Sequence, residues 1–187
     1  MRKVIISEIV SLDGFYARPN GAIDWFVVDD GFFTYAKDLL TQVDTQLYGR
    51  ITYEGMASYW PTAQAAAEND PGIAEPMNAM SKVVFSKTLD KVEWNNSRLA
   101  NNEPATEIAR LKSEPGKDMV IYGSGRLVQT LMKAGLIDEY QIIVCPVILG
   151  SGKPLFESLD DKLSLTLLKT IAFDCGSILF YYQPKLT

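Results

Sequence analysis

The chain contains no histidine. That absence excludes Ser-His-Asp triads, Cys-His pairs and the common zinc ligand sets in one step. Proton transfer must fall to carboxylates, lysine, tyrosine or water, and chemistry carried by a bound cofactor gains weight. Cysteine is scarce too. Cys145 and Cys175 stand in apolar, strand-like stretches, form no metal motif and read as buried thiols rather than a disulfide. No apolar run approaches membrane-spanning length. The N-terminal "MRKVIISEIV" carries Glu8 within a short apolar run and lacks a cleavage site, unlike a signal peptide, so a cytoplasmic location is the expectation. An excess of positive charge is also missing. The net charge is −5 and the pI about 4.8, which argues against a nucleic-acid binder.

What is present suits a folded domain. The 187 residues are 47% hydrophobic and 22% charged, enough to build one domain, residues 1–187, with a substantial core. "KVIISEIV" reads as a strand near the core, and "SLDGFYARPNGAIDWF" as a long loop. "GFFTYAKDLL" has helical spacing, followed by a short strand "TQLYG" and a helix over about 51–58. "PGIAEPMNAM" predicts a short helix, "KVVFS" a strand and "EPATEIARLKS" a helix with Pro near its start. "DMVIYG" is a strand, "GRLVQTLMKAG" a helix closed by Gly135, and "DEYQIIVCPVIL" a long strand. "LSLTLLKTIAF" and "CGSILFYYQP" alternate around "DCG" as an antiparallel hairpin. The fold class expected is a single-domain α/β structure: a mixed, mostly parallel central sheet flanked by helices, with a C-terminal antiparallel hairpin.

Three predicted strand ends share one chemistry. In "LYGRITYEGM" Gly49 turns the chain and Arg50 opens a helix, although a helix start prefers negative charge. An anion beside it would remove the conflict. "KVVF" ends in Ser86 and Lys87, and "DMVIY" ends in Gly123-Ser124-Gly125-Arg126. Parallel strands put such ends along one edge, where small residues let backbone N–H groups approach a phosphate and the cations supply charge. A dinucleotide with a pyrophosphate and a 2′-phosphate fits this edge. The spacing matches neither G-x-G-x-x-G, because Val128 stands at the third place, nor the P-loop, because Pro154 follows Lys153. "GSGKPLF" reads either as a tight turn or as backbone passing close to a ligand. Asp13 precedes Gly14 in a common turn pair; Trp25 and Phe26 read as core anchors or as a wall against an aromatic ring. Asp24, Asp29 and Asp30 are candidate proton carriers or helix caps.

"SLDGF", "LYGRITYEGM", "FSKTL", "IYGSGRLVQTLM" and "PVILGSGKPLF", in this order, resemble the dihydrofolate reductase-like superfamily, in the branch of the riboflavin-biosynthesis reductase (RibD) C-terminal domain. The resemblance covers nearly the whole chain and extends to the stand-alone bacterial members. It implies NADPH bound across the strand ends. Gly49, Arg50 and Thr52 would meet the phosphates, Ser86 and Lys87 the 2′-phosphate, and Gly123, Ser124, Gly125 and Arg126 the pyrophosphate. It also implies a homodimer and a small-molecule heterocyclic substrate, pyrimidine- or pteridine-like, with activity like that of 5-amino-6-(5-phosphoribosylamino)uracil reductase. Asp13 is the expected catalytic residue, with Trp25, Gly150 and Gly152 on the substrate side. No metal site and no membrane or nucleic-acid partner is expected. The rival is a non-catalytic nucleotide-binding sensor or partner-binding module, which substrate-dependent NADPH oxidation would distinguish.

Overall fold

A computed structural model describes residues 1–157 and 162–185. The chain begins with β1 (Val4–Ser11), β2 (Phe15–Ala17), α1 (Asp30–Gln42), β3 (Val43–Gly49), α2 (Arg50–Tyr59), α3 (Ala63–Glu68), α4 (Pro71–Ala79), β4 (Ser81–Phe85) and β5 (Ser97–Leu99). It continues with α5 (Pro104–Ser113), β6 (Asp118–Tyr122), α6 (Gly125–Lys133), β7 (Glu139–Cys145), β8 (Lys153–Pro154), β9 (Leu165–Ala172) and β10 (Ile178–Pro184). Among the described residues eight strands form one sheet in the order β5-β4-β3-β6-β1-β7-β10-β9. Neighbours are parallel from β5 to β7, whereas β10 runs antiparallel to both β7 and β9. Among the described residues no helix is long and apolar enough to cross a membrane.

Local chemistry explains the element boundaries. Asp29 caps α1 by accepting the Phe32 N–H at 3.0 Å, so it serves as a cap rather than a proton carrier. Asp24 is occupied by Arg18 at 2.7 Å. Asp70 caps α4 and Pro71 occupies its first turn, where the missing N–H costs nothing. The strand read through Leu149 ends instead at Cys145, because Pro146 has no N–H for the ladder. The loops "SLDGFYARPNGAIDWF" and "GSGKPLF" are joined, because β2 and β8 pair as a second, two-stranded sheet.

Alternation along β1 feeds two cores. Val4, Ile6 and Val10 face α5 and α6 and pack with Ile108, Leu111, Leu127 and Leu131. Ile5 faces α1 and packs with Tyr35, Leu39, Val120 and Ile143. Each such buried aliphatic contributes about 2 kcal/mol. The crossover from β1 to β3 through α1 and that from β6 to β7 through α6 therefore cover opposite faces of the sheet. Between β3 and β6 the chain parts in two directions, and a crevice opens at their carboxyl ends.

Candidate functional site

The crevice is a cleft of about 1720 Å³. Gly49, Arg50, Thr52, Ser86, Lys87, Gly123, Ser124, Gly125 and Arg126 all line it, so the three cationic strand ends meet in space. Helices α2 and α6 both start there. Neither has a side-chain cap or an acidic residue in its first turn, which leaves N–H groups and two positive dipole ends facing the cleft. Arg50 meets Glu54 at 3.0 Å and Lys87 meets Glu103 at 3.2 Å, both as partly or well exposed pairs of small worth. Arg126 forms no ion pair among the described residues and is exposed.

Two hydroxyls lock the helix starts together. The Ser124 N–H donates to Thr52 Oγ1 at 2.9 Å, and the Gly49 N–H donates to Ser124 Oγ at 2.9 Å. Ser124 adopts left-handed backbone with φ 64°, and Gly123 before it has φ 56°. Thr52 and Ser124 thus hold the two turns at a fixed spacing. A Cβ at Gly123 would come within 3.0 Å of Thr52, and one at Gly125 within 3.0 Å of Tyr16. A side chain at either place would have to push Thr52 or Tyr16 aside by a few tenths of an ångström.

The other end of the cleft is aromatic and apolar, with Phe26, Phe32, Tyr35, Leu39 and Ile143. Trp25, the residue expected there, lies behind this wall: it is 7% exposed in the core and meets Phe26 edge-on at 5.4 Å. Phe26 takes the place facing the cleft. Behind the wall, Tyr35 O–H donates to Gln141 Oε1 at 2.9 Å, so Ser7 is the donor to the Tyr35 oxygen at 2.7 Å. Burial raises the Tyr35 pKa well above its ordinary value and keeps this hydroxyl neutral.

Asp13 is not among the residues lining the cleft. Its carboxylate accepts the Ser11 hydroxyl at 2.7 Å and the N–H groups of Leu149 at 3.1 Å and Gly150 at 2.8 Å. The Ser11 hydroxyl foremost, and then these amides, lower its pKa, which suits a fixed anion and not a proton donor. Asp13 clamps the loop after β1 to the loop before β8. Gly150 belongs to that clamp, outside the cleft lining, whereas Gly152 does line the cleft. A Cβ on Gly152 would stand 2.5 Å from the Ala17 carbonyl oxygen, so β8 can pass β2 only with glycine here.

One residue of the cleft is not legible as functional in the sequence. Glu8, in the middle of β1, lines the cleft beneath the 123–125 turn. Its Oε2 is buried without a hydrogen-bond partner among the described residues. Burial drives its pKa up to about 8, against the opposing pull of the Ile9 and Gly123 N–H groups.

Comparison with known proteins places this geometry in context. A family model described as the RibD C-terminal domain matches residues 2–179. YyaP of Bacillus subtilis strain 168, itself uncharacterized, is 34% identical over 183 residues, which cover 97% of this chain and 95% of YyaP. A Shewanella sp. PV-4 protein, named as a candidate riboflavin biosynthesis protein, aligns over 100% of both chains with TM-score 0.75 and 26% identity. The Thermotoga maritima diaminohydroxyphosphoribosylaminopyrimidine deaminase/5-amino-6-(5-phosphoribosylamino)uracil reductase aligns over 98% of this chain and 57% of its own, with TM-score 0.70 and 13% identity. Dihydrofolate reductase from Enterococcus faecalis, complexed with NADP(H), aligns over 97% of this chain and 96% of its own, with TM-score 0.64 and 14% identity. The last two likenesses concern the fold, which is dihydrofolate reductase-like. With the family model spanning nearly all of the sequence and the cleft at the carboxyl ends of its parallel strands, the chain belongs to the RibD C-terminal domain family.

Proposed function

We propose that the chain is an NADPH-dependent reductase that delivers hydride to a small heterocycle of pyrimidine or pteridine type. The activity is of the kind named for the Thermotoga maritima protein, a 5-amino-6-(5-phosphoribosylamino)uracil reductase. The observation that carries this reading is the pair of uncapped helix starts, α2 and α6, meeting in one cleft with Arg50, Lys87 and Arg126. A pyrophosphate needs several N–H donors at short range, which two adjacent helix starts provide. The residues fit the dinucleotide. Side chains at 123 or 125 would press on Thr52 or Tyr16 of the cleft lining, and glycine avoids both contacts. Ser86 and Lys87 offer a hydroxyl and a cation to a 2′-phosphate, which NADH lacks. When bound, NADPH supplies the hydride. The chain holds the phosphates, presents Phe26, Phe32 and Tyr35 to a flat ring, and shields the site from water. The Enterococcus faecalis enzyme of the same fold, complexed with NADP(H), supports the cofactor.

Titration of NADPH and NADH against the wild type, Arg50→Ala and Lys87→Ala tests the reading. NADPH is expected to bind more tightly than NADH. Arg50→Ala should weaken both by about tenfold, the worth of one charge-assisted contact, whereas Lys87→Ala should weaken NADPH alone. Failure of the wild type to bind either nucleotide would remove the reading. Binding without NADPH oxidation across a panel of pyrimidines and pteridines would leave a nucleotide sensor in its place.

A homodimer belongs to the same proposal. The outer strand β9 exposes Leu165, Leu167 and Leu168, apolar surface that a second chain would cover. A monomeric mass in light scattering at micromolar concentration would count against it.

A further inference from the structure

We propose that Glu8 is the proton donor of the cleft, the group that gives the reduced ring the proton accompanying hydride. This role deepens the reductase reading and rests on it. Along β1 the even-numbered residues face α6, and Glu8 interrupts the apolar row between Ile6 and Val10. Its Oε1 accepts a long bond, 3.3 Å, from the Ile9 N–H, the Gly123 N–H pulls on the carboxyl from above, and its Oε2 is buried without a partner among the described residues. A buried polar group left in this condition is costly, and an ionised one more so. A structural role would be served better by valine or leucine. The residue instead lines the cleft where the 123–125 turn and Tyr16 close over β1.

The charged and titratable groups around it are few. Tyr16 from β2 faces it, with a hydroxyl whose pKa is raised chiefly by burial and further by Glu8 itself. Arg126 of α6 and Glu157 beyond β8 act on the same tyrosine with opposite signs. On β6, Tyr122 packs on the opposite face of the sheet, as does Tyr35 of α1. The register partner of Glu8 on β7 is the apolar Ile142. Among the described residues no cation is paired with the carboxyl, so it keeps its proton near neutral pH, its pKa standing at about 8.

The substrate class that suits such a donor is a neutral ring with a C=N bond, or a C=C bond conjugated to a carbonyl. Hydride adds to carbon, the Glu8 O–H bond breaks, and an N–H bond (or an enol O–H) forms. The electron pair of the broken bond remains on the carboxylate. Water returns the proton after product leaves. NADP⁺ differs from NADPH by a positive ring, and a positive charge nearby favours the carboxylate form of Glu8. Oxidised and reduced nucleotide should therefore differ in the protons they displace.

The test is calorimetric titration of wild type and Glu8→Gln with NADP⁺ and with NADPH, each in two buffers of different ionisation heat at neutral pH. Wild type is expected to release up to about one proton more with NADP⁺ than with NADPH, and Glu8→Gln no more with one than with the other, with NADP⁺ bound more weakly by Glu8→Gln than by wild type. Equal release by wild type, or a difference that survives in Glu8→Gln, would overturn the role of Glu8 while leaving cofactor binding in place. No binding of either nucleotide by wild type would overturn the reductase reading and this role together. Infrared difference spectra of the ligand-free proteins give a second reading. Wild type should show a protonated carboxyl band at neutral pH that Glu8→Gln lacks, and its absence would sink the proposal.

Discussion

Gly152→Ala is expected to destabilise the protein by about 3 kcal/mol, a fall in thermal midpoint on the order of 8 °C. The new methyl group would stand 2.5 Å from the Ala17 carbonyl oxygen and 2.9 Å from Phe15 Cβ and Cγ. The nearest of these is backbone, so no rotamer change relieves the overlap. Relief requires β8 to move away from β2, which opens the wall of the cleft and should weaken nucleotide binding as well. Gly150→Ala is the matched control. Gly150 has φ 73° but open space around its Cβ position, so alanine there carries only backbone strain, about 1 kcal/mol. Differential scanning calorimetry of both variants separates the two causes. Equal losses would show that the close passage of the two strands adds nothing to the need for glycine at 152.

Glu107→Gln is expected to cost about 3 kcal/mol near neutral pH. The Glu107 side chain is fully buried on α5, yet accepts from Arg98 at 2.6 Å, Arg110 at 2.7 Å and Asn102 at 3.0 Å. Burial alone would raise its pKa. The hydrogen bonds from Arg110, Asn102 and Arg98 outweigh burial and hold it at about 2, against 4.5 in the unfolded chain. A carboxyl with a lowered folded pKa stabilises the fold above its unfolded value and loses that contribution as pH falls through the folded one. The wild-type advantage over Glu107→Gln should therefore be complete above pH 4.5 and vanish toward pH 2. Denaturant titrations across that window check the sign. Asn102 also lines the cleft and precedes Glu103, which pairs with Lys87, so the variant should narrow the preference for NADPH over NADH.

The cationic strand ends were legible in the sequence because each is a local pattern. A β-branched run, a small residue and then Arg or Lys can be read within ten positions, and a parallel sheet brings such endings to one edge. Glu8 was not legible. A glutamate inside an apolar strand reads as a residue facing water, and what closes over it comes from Gly123 and Tyr16, neither adjacent in sequence. Asp13 shows the reverse. Its turn with Gly14 was plain, but the amides of Leu149 and Gly150 that occupy its carboxylate lie 136 and 137 positions away. Trp25 and Phe26 differ only in which face the loop gives them, which no periodicity encodes. The β2–β8 pair spans three residues and two, too few for an alternation to register.

Strand β1 is made before the rest of the sheet, and its partners β6 and β7 follow more than a hundred residues later. Val4 pairs with Met119 and Ile5 with Glu139, so its neighbours do not exist until most of the chain has been made. At ordinary synthesis rates that interval is on the order of ten seconds. Through it, "VIISEIV" is an unpaired, β-prone apolar segment of the kind that seeds aggregation. Glu8 breaks that run with a charge, because in the unfolded chain its carboxyl has the ordinary pKa of 4.5. Folding then buries the same carboxyl and adds a proton to it. The residue that keeps the nascent strand soluble is a charged one only until the sheet closes around it.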